Sequence, residues 1–206
     1  MAVPPPPVRE PKQARSREAW ERVLDVGLKL LEEGGVGALT ITEVCRRSGI
    51  NPPSLYARVD GKAGLFAAVY ERGMIRVQET EESAFAGLPR PGAPVTAQAS
   101  DAADAVADVF ATHASFLRPV IGQAEADPHL LERGALESRR LLGRVASAIC
   151  LDHGVAWEIA QTIYAECVVR TMYGAEFFND TPETESAFRA RLARTAAARA
   201  ALSSPR

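Results

Sequence analysis

Residues 39–62 read LTITEVCRRSGINPPSLYARVDGK, and this stretch decides the fold. Thr40 and Glu43 stand three positions apart, which is the spacing of the capping box that opens a helix. Gly49 follows that helix and can adopt the positive φ of a tight turn. Asn51 then caps a further short helix with Pro52 at its first position, where the missing N–H costs no hydrogen bond. The stretch therefore predicts two short helices joined by a tight turn, a helix-turn-helix.

Residues 39–62 also resemble the TetR (tetracycline repressor) family of transcriptional regulators. The matching features are a threonine that opens the helix, a glycine-apolar turn, a Leu-Tyr pair in the next helix, and a lysine six residues after the tyrosine. The resemblance is strong over about residues 16–70, and beyond them it rests only on length and helical content. It implies that the second helix of the unit lies in the major groove of DNA with its N-terminal half facing the bases.

The resemblance implies contacts with the DNA backbone from Thr40, Tyr56 and Lys62. The phenol of Tyr56 suits a fixed phosphate hydrogen bond, and Lys62 stands at a helix start, where charge and backbone amides both attract an anion. Such contacts set the register of a protein on DNA but do not read its sequence. Two of the three have a structural alternative, since Tyr56 could cap a small core and Lys62 could be a solvated charge.

Base reading is assigned to the remaining outward positions of the motif, which are Thr42, Pro52, Pro53, Ser54, Ala57 and Arg58. Arg58 carries a guanidinium that could bind guanine O6 and N7. The family usually has histidine followed by an aromatic residue here, so the Arg58-Val59 pair leaves the base contacts open. Arg58 could instead bind phosphate or solvent.

The rest of the chain predicts an all-α fold, because apolar residues recur at three- and four-residue intervals and no strand alternation is found. The first helix is expected from Ser16 to the Gly34-Gly35 stop, and the fourth from Lys62 into the eighties. Prolines between 88 and 94 break the pattern. Later helices are expected to end at Arg118-Pro119, to run from Asp127-Pro128 to Asp152-His153-Gly154, to cover 155–178, and to begin after Thr181-Pro182.

Three regions are expected: a flexible basic, proline-rich tail (1–14), a three-helix helix-turn-helix DNA-binding domain (15–62), and a helical effector-binding and dimerisation domain (63–206). Residues 1–62 hold 10 Lys and Arg against 8 Asp and Glu, whereas the remainder holds 14 against 18. A modestly basic head on an acidic body favours contact with phosphates at one end. Arg15 and Arg17 could reach the DNA backbone or the adjacent minor groove from the start of the chain, or the run from Arg9 to Arg17 could form an ordinary soluble tail.

The predicted partners are double-stranded DNA with a palindromic operator, a second copy of the chain, and a small-molecule effector of unknown identity. The resemblance implies a homodimer through about 155–178 and 182–202, with small residues at Ala160, Ala165, Gly174 and Ala175 and apolar area from Ile159, Ile163 and Val168. The middle helices would enclose an effector pocket. Its candidate lining residues are Phe85, Phe110, His113, Phe116, Leu117, Arg140, Leu141 and Arg144.

Other classes of protein find little support in the sequence. No apolar run approaches the roughly 18 residues of a membrane span and no signal-peptide core follows Met1, so a cytoplasmic protein is expected. Three cysteines without paired spacing are expected to be buried packing residues, with no metal and no cofactor. No phosphate loop or nucleophile elbow is present, and an enzyme is not expected. The alternative is a helical ligand-binding or scaffolding dimer without regulatory DNA binding.

Overall fold

The computed structural model describes residues 14–178 and 180–203 of the chain. The predicted tail therefore lies outside the described residues, apart from Ala14 at the start of the first helix. The described residues form nine α-helices: α1 (Ala14–Ala38), α2 (Ile41–Ser48), α3 (Pro52–Tyr56), α4 (Gly61–Ala84), α5 (Val95–Thr112), α6 (Ala114–Ala124), α7 (Pro128–Ser147), α8 (His153–Tyr173) and α9 (Glu185–Ser203). The all-α prediction is confirmed.

The chain divides into two compact units. The first comprises the residues up to Gln78 together with Ser115–Leu131, and the second comprises Glu79–Ala114 together with the residues from Glu132 onward. The boundary at residue 62 that the sequence suggests stays a prediction.

In the first unit, α1 buries one apolar face against α2 and α4. The residues that the periodicity predicts are all buried, and Leu30 is buried in addition to them; the predicted residues are Trp20, Val23, Leu24, Gly27, Leu28 and Leu31. A Cβ at Gly27 would lie 2.4 Å from Cγ2 of Val69, so the glycine permits the close approach of α1 and α4. The regular helix ends where predicted, because Gly34 and Gly35 leave helical φ and ψ and Gly35 has a φ of 65°.

The first unit also contains most of α6, which the sequence did not predict as a separate helix. The expected ending at Arg118-Pro119 is wrong: the break falls at His113, with φ −111° and ψ 16°, and α6 continues through Pro119. Phe116, Leu117 and Val120 are buried around this proline. Their burial offsets the single backbone hydrogen bond that a proline removes.

Phe116 of α6 packs into a notch on α4 made by Gly73. A Cβ at Gly73 would lie 2.2 Å from Cε2 and Cζ of the Phe116 ring, which leaves no room for any side chain there. Tyr70, one turn earlier on α4, has its ring centroid 6.5 Å from that of Phe116. Phe116 is 1% exposed, so the glycine and the aromatic ring form a closely fitted pair.

In the second unit, α5 packs against both α8 and α9, and α8 packs against α9. Their contact is built on small residues of α5, since Ala99, Ala102, Ala103 and Ala107 are at most 1% exposed. Gln98 is a buried polar residue whose amide donates to the Ala93 carbonyl at 2.9 Å. Its side-chain oxygen accepts from the Cys150 N–H at 2.8 Å, which ties the segment before α5 to the turn after α7.

Helix boundaries in the second half of the chain differ in part from those predicted. The start of α7 is confirmed, because the Asp127 carboxylate accepts from the N–H groups of His129 at 3.0 Å and Leu130 at 3.2 Å. The prediction that Asp152-His153-Gly154 ends a helix is wrong, since Asp152 instead caps the start of α8 by accepting from the Gly154 N–H at 2.9 Å.

The last two helices also begin or end away from their predicted positions. α8 stops at Tyr173 and not at 178, because Gly174 adopts a φ of 87°. The cap of α9 is Thr184, whose Oγ1 accepts from the Ala187 N–H at 3.1 Å, and not Thr181-Pro182.

The expectation that all three cysteines are buried is wrong for one of them. Cys45 and Cys167 are buried, whereas Cys150 is exposed in the turn after α7. The apolar pattern that suggested burial continues past the true end of α7 at Ser147, so it did not reveal the turn.

Candidate nucleic-acid interface

The capping of α2 fixes the first half of the motif. Thr40 has extended backbone, and its hydroxyl accepts from the Glu43 N–H at 3.2 Å, as the sequence predicts. The reciprocal half of the capping box is replaced by ion pairs, since the Glu43 carboxylate binds Arg46 and Arg47 at 2.7 Å each. These side-chain hydrogen bonds, from Arg46 first and then Arg47, lower the pKa of Glu43 to about 2.

The turn and the short helix α3 follow the predicted chemistry. Gly49 adopts a φ of 73° and its N–H bonds the Cys45 carbonyl at 3.0 Å. The Asn51 side chain accepts from the Ser54 N–H at 2.8 Å, and Pro52 occupies the first helical position. Leu55 is completely buried and is the one buried residue of α3. The other four residues of this helix are therefore turned outward.

Most of the predicted DNA-contacting residues are exposed, and we call this set of residues the α3 surface. Tyr56 is 55% exposed and is one of the large side chains that the fold leaves in contact with solvent. Thr40 is only partly exposed because it serves as the cap of α2. The exposed members are Thr42, Pro52, Pro53, Ser54, Tyr56, Ala57 and Lys62.

Arg58 does not project from the α3 surface. Its Nη2 atom donates to the carbonyl oxygen of Ser16 at 3.4 Å and to the hydroxyl of the same serine. Its guanidinium carbon lies 5.5 Å from the centroid of the Trp20 ring, in cation–π geometry. The sequence offered no signal for this contact, because the partners are 42 residues apart in the chain.

The predicted effector residues are not all brought together. Phe85, Phe110 and Leu141 are buried in the second unit, whereas Phe116 and Leu117 belong to the first unit. His113 in the second unit has its Nε2 2.8 Å from the hydroxyl of Thr80.

Arg140 and Arg144 converge on Glu81, a residue that sequence reasoning missed. Arg140 donates to the two Glu81 oxygens at 2.9 and 2.7 Å, and Arg144 donates at 3.3 Å. Glu81 is 1% exposed, so its charge is compensated inside the second unit. It stands among the glutamates of residues 79–82, and nothing in that local pattern marks it as the buried one.

An open depression in the second unit lies beside α8 and α9, away from the predicted effector residues. It encloses about 20 Å³, roughly the space of one water molecule. The lining residues are Glu166, Val169, Arg170, Gly174, Ala175, Phe178, Glu183, Phe188 and Arg191.

The described part of the chain contains neither a group of metal-binding side chains nor a membrane-spanning helix. Within residues 14–178 and 180–203, no three His, Cys, Asp or Glu side chains form a group that could hold a metal ion. No helix in the same ranges combines the length and the apolarity needed to cross a bilayer.

Comparison with known proteins matches the part of the chain that carries the α3 surface. Residues 23–69 match the model of bacterial regulatory proteins of the tetR family. The HTH-type transcriptional repressor BdcR of Escherichia coli (strain K12) is 43% identical over 53 residues, which is 26% of this chain and 27% of that protein. The chain thus matches about a quarter of the length of this curated relative.

Solved structures of similar architecture cover nearly the whole chain. A TetR-like transcriptional regulator from Rhodococcus sp. RHA1 has a TM-score of 0.62 and 17% identity, over 95% of this chain and 100% of that one. Salmonella enterica GusR has a TM-score of 0.59 and 16% identity, over 92% of this chain and 95% of that one. At these identities the likeness shows the fold: an N-terminal helix-turn-helix followed by a helical C-terminal region.

Proposed function

We propose that this chain, whose residues 23–69 match the tetR family model, is a sequence-specific DNA-binding regulator that represses transcription and is no enzyme. The observation that carries the proposal is the α3 surface. A five-residue helix that buries only Leu55 and turns its prolines, serine and tyrosine outward contributes little to the core. Such an arrangement fits a helix that inserts into the major groove.

The proposed roles follow the position of each side chain. Thr40, Tyr56 and Lys62 bind the sugar-phosphate backbone, Tyr56 through its phenol and Lys62 through its charge at the start of α4. The base edges are met by the short side chains of the α3 surface, which are Thr42, Pro52, Pro53, Ser54 and Ala57. These residues offer methyl and methylene groups to thymine methyls and few hydrogen bonds, so part of the sequence preference would come from DNA shape.

Selection from random double-stranded DNA with the full-length protein tests the proposal. A palindromic sequence is expected to be enriched, and footprinting should show protection of both halves. Lys62→Ala should weaken binding to all sequences alike and reduce the salt slope by about 1, because one phosphate contact is lost. Tyr56→Phe removes only the hydroxyl and should weaken binding without changing the preferred sequence.

Matched controls come from the second unit. Arg139→Ala removes a positive charge at an exposed position of α7 and should leave DNA binding and its salt slope unchanged. Enrichment of no sequence would contradict the proposal and would favour a ligand-binding or scaffolding dimer.

The proposed regulator is a homodimer, since one helix-turn-helix contacts only one half-site and two lie roughly 34 Å apart on a palindrome. α8 and α9 each leave one row of residues exposed or half-exposed. The α8 row is Glu158, Thr162, Ala165, Val169 and Met172, and the α9 row is Ala187, Ala190, Arg194, Ala198 and Ala201.

The apolar contribution to this interface differs from the one that the sequence suggested. Ile159, Ala160 and Ile163 are at most 1% exposed within a single chain, so they belong to its own core. An exposed aromatic cluster lies at the end of α8 instead. The Tyr173 ring is stacked on that of Phe177 with 4.4 Å between their centroids, and the Phe177 ring is edge-on to that of Phe178 with 4.8 Å between theirs. These rings are 52 to 71% exposed, and burial between two copies would remove them from water.

Effector control is proposed for the second unit. A small molecule that binds there would release DNA only as far as its affinities for the DNA-bound and released states differ. The residues proposed to contact it are Phe85, Phe110, His113, Arg140, Leu141 and Arg144. Phe116 and Leu117 lie in the first unit and are not among them. As a regulator of transcription the protein would act in the cytoplasm, where the bacterial chromosome lies.

A further inference from the structure

We propose that Arg58 is a positioning residue that ties the recognition helix to the first turns of α1, and that it does not read a base. The inference rests on the proposed function, because it assigns the task of one residue within the DNA-binding unit. It replaces the guanine-binding role that the sequence suggests for this arginine.

The need for such a tie follows from the size of α3. A helix of five residues is far too short to be stable alone, so its orientation depends on what holds its two ends. Its N-terminal end is held by the Asn51 cap and its middle by buried Leu55. After its C-terminal end, Val59 is buried and Arg58 reaches across to α1.

The partners of Arg58 are themselves fixed. Trp20 is 6% exposed and belongs to the core face of α1, so its ring offers a rigid platform for the guanidinium. Ser16 contributes both its carbonyl oxygen and its hydroxyl to the same Nη2 atom. A guanidinium engaged in this way cannot also present its fork to O6 and N7 of a guanine without leaving both partners.

The remaining outward residues can carry recognition without Arg58. Tyr56 and Lys62 stay exposed while Arg58 is turned toward α1, so the phosphate-binding groups and the arginine have different directions. Loss of the arginine should therefore disturb the placement of all contacts together and not one contact selectively.

The test measures binding of full-length variants to the DNA sequence selected by the wild type and to each of its single-base-pair variants. Arg58→Ala should weaken binding to every sequence by a similar factor of about tenfold or more, with the order of preference kept. The salt slope should stay that of the wild type. Loss of preference at one base pair would overturn the proposal in favour of base reading, and a slope reduced by about 1 would overturn it in favour of a phosphate contact.

A double-mutant cycle identifies the partner. Ser16→Ala should weaken binding in the wild-type background and have little further effect in Arg58→Ala, because the two side chains form one contact. Additive losses of DNA binding in the double variant would contradict a contact between Arg58 and Ser16. Ser147→Ala, at an exposed position of α7, serves as the control for serine removal, and it should leave binding unchanged.

A measurement without DNA keeps the inference separate from the proposed function. The Val59 N–H bonds the Leu55 carbonyl at 3.1 Å at the end of the recognition segment. Its hydrogen exchange should accelerate in Arg58→Ala and in Ser16→Ala, while the exchange of α5 amides stays constant. Unchanged exchange of Val59 would overturn the positioning role even if no DNA sequence were ever selected.

Discussion

Glu43 holds Arg47, the residue that connects α2 to α1. It is bound by Arg46 and Arg47 of its own helix, and Arg47 also reaches Glu33 at the end of α1 at 2.7 Å. These contacts favour the charged form, and the pKa of Glu43 falls to about 2. A folded-state pKa below the unfolded one means that the unfolded chain binds more protons as pH falls, so the contribution to stability is lost on acidification.

Glu43→Gln should therefore be destabilising in a pH-dependent way. The wild type should have the larger free energy of unfolding above about pH 4.5, and the difference should shrink as pH falls from there to about 2. Urea unfolding at several pH values measures this difference. Glu32→Gln, at an exposed position of α1, is the control. A difference that stays constant over the whole range would contradict the ion-pair explanation.

The three thiols should differ in reactivity by position. Burial raises the pKa of Cys45, and burial, with lesser effects of nearby charges, raises that of Cys167 to about 12. Both are also shielded from reagents, while Cys150 is exposed. A thiol reagent should modify one cysteine per folded chain rapidly and all three in denaturant. Cys150→Ser should abolish the fast reaction, and a fast reaction that survives this change would refute the assignment.

At the scale of elements, α4 and α6 are fitted to each other through the Gly73 notch. The ring of Phe116 occupies the place where a side chain at residue 73 would stand. Helix interiors disfavour glycine by about 1 kcal/mol relative to alanine, so this glycine is retained against helix propensity because of packing.

Gly73→Ala should lower the free energy of unfolding by about 1–3 kcal/mol, since overpacking forces a side chain or a helix to shift. Phe116→Leu in the same chain should recover part of the loss by making room. Gly134→Ala is the matched control, because a Cβ there meets no atom within 4 Å and should be neutral or slightly stabilising. Equal behaviour of the two alanine variants in thermal unfolding would contradict the notch.

Helix starts were predictable where a cap lies next to its helix in the chain. Thr40, Asn51 and Asp127 each bond an N–H two or three residues later, and all three starts were predicted. The break at His113 was not predicted because the apolar pattern runs through it. After the break, Phe116 packs against Gly73, which lies over 40 residues away in the sequence, and periodicity does not reveal such a contact.

The directions of the candidate site residues were likewise predictable where the local motif sets them and unpredictable where distant residues do. The exposed position of Tyr56 and Lys62 followed from the motif, since the motif specifies which face of α3 is buried. The direction of Arg58 depends on Ser16 and Trp20 of another helix, and a side chain with this reach has several sterically open directions. Only the folded arrangement chooses among them.

At the scale of the whole molecule, the proposed dimer joins two acidic bodies, each with a more basic head. The exposed row of α9 consists largely of alanine, which permits close approach of helices from two chains.

Ala190→Arg should convert the dimer to a monomer, because it places a second long charged side chain in that row, one turn before Arg194. Sedimentation equilibrium measures the mass directly. Binding to the palindrome should weaken by about tenfold or more, while the melting temperature of the monomer stays close to its starting value if the fold is intact. Ala111→Arg, at an exposed position of α5, is the control. A variant that remains dimeric would exclude α9 from the interface.

The burial of a single α3 side chain has an evolutionary consequence. Leu55 is the one α3 residue whose side chain packs in the core, so the outward residues of the helix can be exchanged without a stability cost that would eliminate the variants. A new operator preference can therefore arise by a few point changes on an unchanged scaffold. The same property would let an engineer transplant the four outward α3 positions between related proteins and expect a folded product with a redirected target.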